Sequence, residues 1–166
     1  MNKLKQKVEF LANVAIIVVA VAVCAVLVRQ YVIPGAEPAS PRPAVGSKIE
    51  LPGVDFSSEG KTLLLVLQQG CRFCTESGPF YQRLAREAAT RARGVKVVAV
   101  LPQDPEEGRR YLSTLGMPEV DVKQASLTAL GVGGTPTLIM VSDGAVSDVW
   151  VGKLDAAEES QVLGKL

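Results

Sequence analysis

Three short, nearly unbroken apolar runs constrain the fold of this chain more than any other feature. They are Thr62–Leu67 (TLLLVL), Val95–Leu101 (VKVVAVL) and Thr137–Val141 (TLIMV). Such runs are typical of strands in a sheet that is covered by helices on both faces. A fourth segment, Val146–Val151, follows the third through Ser142-Asp143-Gly144, a connection too short for a crossover helix. The sheet is therefore predicted to be mixed, with a hairpin at its end.

Helical periodicity separates these strands. Residues 75–93 place their apolar side chains on one helical face, and Pro79 within the first turns is expected to kink or delay this helix. Further helices are predicted at Pro105–Leu115 and at Asp155–Lys165, where Asp155 and Glu158 have the spacing of an N-cap and its partner. The order β-α-β-α-(short strand)-β-β-α predicts an α/β sandwich with a mixed central sheet flanked by helices.

An apolar stretch precedes this domain. From Phe10 to Val28 there are nineteen residues without a formal charge. A helix of that length, at ~1.5 Å per residue, is roughly 28 Å long and can cross the hydrocarbon of a bilayer. Because three lysines precede the run and one arginine closes it, residues 1–9 are predicted to be cytoplasmic. We therefore predict that residues 10–28 form a transmembrane signal-anchor in the cytoplasmic (inner) membrane, with the domain in the periplasm or its equivalent.

This stretch allows two other interpretations. Ala20-Val21-Ala22 resembles a signal-peptidase site, so a cleaved signal peptide is the alternative to a retained anchor. Cys24 is interpreted as a small apolar residue in the membrane, because Val23 before it and the apolar residues after it do not suit a lipoprotein signal.

Residues 29–46 are rich in proline, alanine and glycine, which is typical of an extended linker, and the folded domain is predicted to span residues 47–166. The net charge is +3 for residues 1–30 and −2 for the rest, so no nucleic-acid surface is expected. The chain has no histidine, which excludes Ser-His-Asp and Cys-His catalysis and histidine-ligated metals. No cofactor and no metal site are predicted.

The Cys71-Arg72-Phe73-Cys74 motif carries the chemistry. It follows the first buried strand through Gln68-Gln69-Gly70 and opens the long helix. A thiolate at a helix N-terminus faces unpaired backbone N–H groups and the positive end of the helix dipole, which lowers the thiol pKa. We therefore assign Cys71 as the nucleophile and Cys74 as the resolving thiol. The Arg72 cation beside Cys71 is expected to stabilise the thiolate further and to make the couple less reducing.

The same two cysteines allow a purely structural interpretation. Zinc would need two more Cys or His ligands, which the part of the chain outside the apolar stretch lacks. The interpretation as a static disulfide remains an alternative, although a disulfide that closes so short a loop stabilises the fold only modestly.

A second motif, Gly133-Gly134-Thr135-Pro136-Thr137, ends where the third buried strand begins. Together, the strand, the Cys-x-x-Cys pair at a helix start and the later Gly-Thr-Pro resemble the thioredoxin superfamily. The resemblance is closest to the membrane-anchored TlpA/ResA-like branch. It implies a thioredoxin-like fold over roughly Val45–Leu166, a redox pair at Cys71 and Cys74, and a cis-proline loop at Pro136. Thr135 would offer its backbone to an incoming peptide, and Arg72 and Phe73 would tune the pair or contact substrate.

The chain departs from that pattern in three ways. Gly70 stands where thioredoxins have tryptophan, the motif interior is Arg72-Phe73, and Leu63–Leu67 offers no buried acid. Glu76 is the nearest carboxylate in sequence, and we expect it to be a solvated residue that favours the helix dipole.

These observations predict an extracytoplasmic thiol-disulfide oxidoreductase that acts on cysteine-containing exported proteins and exchanges electrons with a membrane thiol donor or acceptor. The resemblance points to cytochrome c maturation or general thiol maintenance. The alternative is a non-catalytic binding or scaffold module of the same fold with a structural Cys71–Cys74 disulfide.

Overall fold

The computed structural model describes residues 13–24, 41–56, 60–90 and 94–166. The strands in these residues are β1 (Lys61–Val66), β2 (Lys96–Leu101), β3 (Asp121–Gln124), β4 (Thr137–Ser142) and β5 (Ala145–Val151). Within residues 41–166 the helices are α1 (Arg72–Glu76), α2 (Gly78–Thr90), α3 (Pro105–Thr114) and α4 (Ala156–Gly164), with a 3₁₀ helix at Thr128–Leu130. The order of elements agrees with the prediction.

The strands form one mixed sheet in the order β3-β2-β1-β4-β5. β1 is parallel to β2 and antiparallel to β4, and β4 and β5 form the predicted hairpin. Asp143 and Gly144 at its turn both have positive φ, 51° and 76°, as two-residue hairpin turns favour. In the β1–β4 register Val66 faces Thr137. The end of β1 therefore lies beside the start of β4, which brings the segments that follow β1 and precede β4 together.

The long helix predicted at residues 75–93 is two helices. α1 ends at Glu76, Ser77 caps it, and α2 begins at Gly78. The break falls just before Pro79, which has no N–H group to donate to a preceding carbonyl. Residues 91–93 of the prediction lie outside the described residues.

Both faces of the sheet are buried, but by different structures. On the first face, Leu63, Leu65 and Leu67 pack with residues of all four α-helices, including Cys74 of α1 and Leu84 of α2. On the second face the cover comes from loop residues and from the 3₁₀ helix. Its members outside the sheet are Ile49, Leu51, Phe56, Leu130 and Val132. The sheet is thus flanked by helices as predicted, but all four α-helices lie on one face. The apolar strands predict that both faces are buried, but they do not predict whether helices or loops cover each face.

The chain divides into two compact units, Met1–Ala39 and Ser40–Leu166. In the first, residues 13–24 are helical, and the rest of the predicted anchor, residues 10–12 and 25–28, lies outside the described residues. No helix in the described part of the chain has the length and apolarity needed to span a membrane. In the second unit, the Gly46 N–H donates to the Val146 carbonyl over 2.7 Å, so the end of the predicted linker packs on the domain.

Candidate active site

Cys71 is the N-cap of α1. Gly70, with φ of 80°, makes the turn from β1 into the helix, a conformation that residues with a Cβ adopt rarely. The Cys71 sulfur accepts a hydrogen bond from the Cys74 N–H at 3.1 Å, and the Cys71 side chain is partly exposed. An unpaired helical N–H aimed at the sulfur stabilises a thiolate there.

Cys74 lies one turn further along and is completely buried. Its exposed fraction is 0%, and it belongs to the core between the sheet and the helices. The two cysteines form a disulfide with a Cα–Cα separation of 5.2 Å. Of the two sulfurs, that of Cys71 is accordingly the one that solvent and a substrate can approach.

The loop before β4 closes the other side of the site. The Thr135–Pro136 peptide bond is cis and Pro136 is buried. The Cys71 sulfur lies 3.4 Å from the Thr135 carbonyl oxygen. The Gly152 N–H donates to the Pro136 carbonyl at 2.8 Å, which holds the loop against the end of β5. Cys71, Cys74, Thr135 and Pro136, predicted from two separate motifs, are thus brought together.

A segment near the start of the second unit also touches this loop. The Gly133 N–H donates to the Pro41 carbonyl over 2.6 Å. A Cβ at Gly133 would collide with Pro41, whose backbone nitrogen would lie only 2.7 Å away. The close approach therefore requires glycine at position 133, and no pattern in the sequence indicates this contact.

The outward side of α1 carries Arg72 and Phe73. Phe73 is 51% exposed, which is unusual for a large apolar side chain of this domain. The Arg72 Nε donates to Glu76 Oε1 at 2.7 Å. The guanidinium expected to act on Cys71 is therefore engaged by a carboxylate at the other end of the helix.

Glu76 is bound from two directions. Its second oxygen, Oε2, accepts a hydrogen bond from Lys153 Nζ at 2.8 Å. The hydrogen bonds from Lys153 and Arg72 lower the pKa of the Glu76 carboxyl. The expectation of a solvated glutamate is thus incomplete, because Glu76 is exposed but paired. Lys153 was missed from sequence because it is 77 residues away from Glu76 and belongs to no recognisable motif.

A buried acid that could take the Cys74 proton is absent from the described residues. Among them the buried polar side chains are Thr62, Ser77 and Thr137, and none is a carboxylate. Tyr81 shares the core with Cys74, and burial raises the pKa of its phenol far above the ordinary value, so this group stays protonated. No cluster of metal-binding side chains occurs in the same residues.

Comparison with known proteins identifies the fold. No protein-family model matches the sequence, and no curated protein matches it. A thiol-disulfide isomerase from Corynebacterium glutamicum is similar with a TM-score of 0.55 and 18% identity, over 77% of this chain and 96% of that one. A thioredoxin-family thiol:disulfide interchange protein from Chlorobium tepidum gives 0.53 and 22%, over 77% and 97%.

A third similar structure is the exposed lipoprotein thioredoxin Etrx1 of Streptococcus pneumoniae. It has a TM-score of 0.53 and 19% identity, over 74% of this chain and 100% of that one. These likenesses show that the chain has the thioredoxin-like fold.

Proposed function

We propose that this chain is an extracytoplasmic thiol-disulfide oxidoreductase that exchanges disulfides with exported proteins through Cys71 and Cys74. A Cys-x-x-Cys pair on this fold is typical of thiol-disulfide oxidoreductases. The observation that carries the proposal is the asymmetry of the pair. Cys71 is accessible, receives a helical N–H at 3.1 Å and lies against the Thr135 carbonyl, whereas Cys74 is sealed in the core. A merely structural disulfide needs none of these features.

The geometry supports a two-step exchange. In the reducing direction, the Cys71 thiolate attacks one sulfur of a substrate disulfide, and the other substrate sulfur leaves as a thiolate. Cys74 then attacks the Cys71 sulfur, and its proton passes to the second substrate sulfur, which leaves as a thiol. This step leaves the Cys71–Cys74 disulfide. The substrate gains two electrons and the pair loses two. In the oxidising direction the same steps run backwards.

The location and partners are part of the proposal. The apolar residues 10–28 with lysines before them support a membrane anchor with the domain outside the cytoplasm. Etrx1, one of the similar structures, is described as an exposed lipoprotein. The substrates would be cysteine-containing exported proteins in cytochrome c maturation or general thiol maintenance. A membrane thiol donor or acceptor would reset the pair, and protease protection in spheroplasts tests the orientation.

The deciding experiment is the reduction potential of the couple. The full-length chain in detergent micelles is equilibrated with thiol buffers of known poise, and a Cys24→Ser variant confirms that only Cys71 and Cys74 respond. A value between the ~−270 mV of thioredoxin and the ~−120 mV of strong oxidants supports exchange, and its position in that range gives the direction. A disulfide that resists reduction until far below about −300 mV would refute the enzyme in favour of a binding module.

A further inference from the structure

Three charged side chains form a chain at the outward side of the redox helix. Arg72 and Lys153 bind the two oxygens of Glu76 at 2.7 and 2.8 Å. Arg72 belongs to α1, whereas Lys153 lies in the loop between β5 and α4. The group joins the redox motif to a segment that is remote in sequence. We call it the Arg72–Glu76–Lys153 triad.

The triad determines the direction of the Arg72 side chain. Cys71 precedes Arg72 at the start of the helix, and Glu76 follows it by four residues towards the helix end. The bond to Glu76 therefore draws the guanidinium along the helix away from Cys71. The Arg72 side chain is 84% exposed, and an exposed pair of this kind is weak alone. Lys153 supplies the second support, because it holds the accepting carboxylate in place.

We propose that Glu76 and Lys153 are positioning residues that control, through Arg72, how strongly the Cys71 thiolate is stabilised. This inference rests on the proposed function of the pair. Glu76 engages the Arg72 cation and adds a negative charge of its own, so it makes the couple more reducing than Arg72 alone would. Lys153 neutralises part of the Glu76 charge and acts in the opposite sense.

The two residues therefore have effects of opposite sign. Glu76→Gln frees the guanidinium and removes the carboxylate, so the Cys71 thiolate becomes more stable. Lys153→Gln leaves the carboxylate less compensated, so the thiolate becomes less stable. Since exposed ion pairs are weak, each effect is expected to be only about threefold in the thiol ionisation constant. If it acts wholly on the reduced form, a threefold change equals roughly 14 mV, at ~29.6 mV per tenfold change.

The test measures the ionisation of Cys71 in the reduced full-length chain, from the pH dependence of its alkylation rate. The variants are Glu76→Gln, Lys153→Gln, Arg72→Gln and the Arg72→Gln/Glu76→Gln double variant. Glu159→Gln is the matched control. It removes a carboxylate that is exposed to a similar degree as that of Glu76 and also pairs with an arginine, Arg83. It should leave the Cys71 ionisation unchanged.

The expected pattern is a fall in the Cys71 pKa for Glu76→Gln, a rise for Lys153→Gln and a smaller Glu76 effect when Arg72 is already absent. Shifts in the same direction for both single variants, or an effect equal to that of Glu159→Gln, would overturn the inference. Ionisation is measured without a substrate. If the Cys71 pKa shifts as expected in the variants but the potential lies far below about −300 mV, the proposed function is refuted and the inference about Glu76 and Lys153 is not.

Discussion

The inward and outward sides of the redox helix α1 differ in almost every property although they share five residues. Inward, Cys74 has an exposed fraction of 0% and packs in one core with Tyr81 and Leu84. Outward, Phe73 is half exposed and Arg72 reaches Glu76 across solvent. Cys71 sits at the boundary as the N-cap.

The difference separates two tasks. The inward side fixes the resolving sulfur in a place that a substrate cannot reach, and its energetics are those of core packing. The outward side offers contact area and charge, where single substitutions change binding and thiol ionisation at little cost to the fold. Variants on the two sides should accordingly fail in different measurements.

The largest contrast is expected between the cysteines themselves. Cys71→Ser should reduce turnover of a disulfide peptide to background, because the accessible nucleophile is lost. Cys74→Ser should also stop turnover, but it should accumulate a mixed disulfide between Cys71 and the peptide, since the resolving thiol is absent. Mass spectrometry under non-reducing conditions checks this. Equal adduct formation by the two variants would remove the distinction between the two sides.

Tyr81 tests the inward side by pH. Burial raises the pKa of the Tyr81 phenol from 10.0. Above pH 10 this phenol therefore ionises in the unfolded chain but stays neutral in the folded chain. The contribution of Tyr81 to the free energy of unfolding is fully present below pH 10 and is lost as the pH rises, by about 1.4 kcal/mol per pH unit. Tyr81→Phe should therefore lose less stability than the wild type between pH 9 and 11 in urea titrations.

Other groups that titrate in alkali, such as lysines, are common to both proteins and cancel in that comparison. The same loss of stability in the variant and in the wild type would show that the Tyr81 phenol is not held neutral by the core.

The smallest expected effect lies on the outward side. Phe73→Ala should raise the KM for a peptide substrate about fivefold with little change in kcat, since loss of partial burial of a phenyl ring costs on the order of 1 kcal/mol. Phe73→Leu should retain most of the affinity. Val45→Ala, at another exposed apolar position, is the control. A fall in kcat at constant KM would instead place Phe73 in the chemistry.

Much of the fold follows from local patterns. The buried strands, the hairpin at Asp143-Gly144 and the capping box of Asp155 and Glu158, which the structure shows at 2.8 and 3.0 Å, were predictable because each depends on neighbouring residues. Pro79 predicted a kink or a delayed start of the long helix, but not its division into two helices. The shared face of the α-helices was not predictable, because apolar strands do not specify their cover.

The site divides in the same way. The sequence by itself determined that two thiols begin a helix behind a buried strand, since the spacing of Cys71 and Cys74 and the turn at Gly70 are local. Only the tertiary structure decided what meets them. The antiparallel register of β1 and β4 brings Thr135 to Cys71 across 64 residues, and the β5–α4 loop brings Lys153 to Glu76 across 77. Such contacts depend on how the whole chain packs, and no short pattern encodes them.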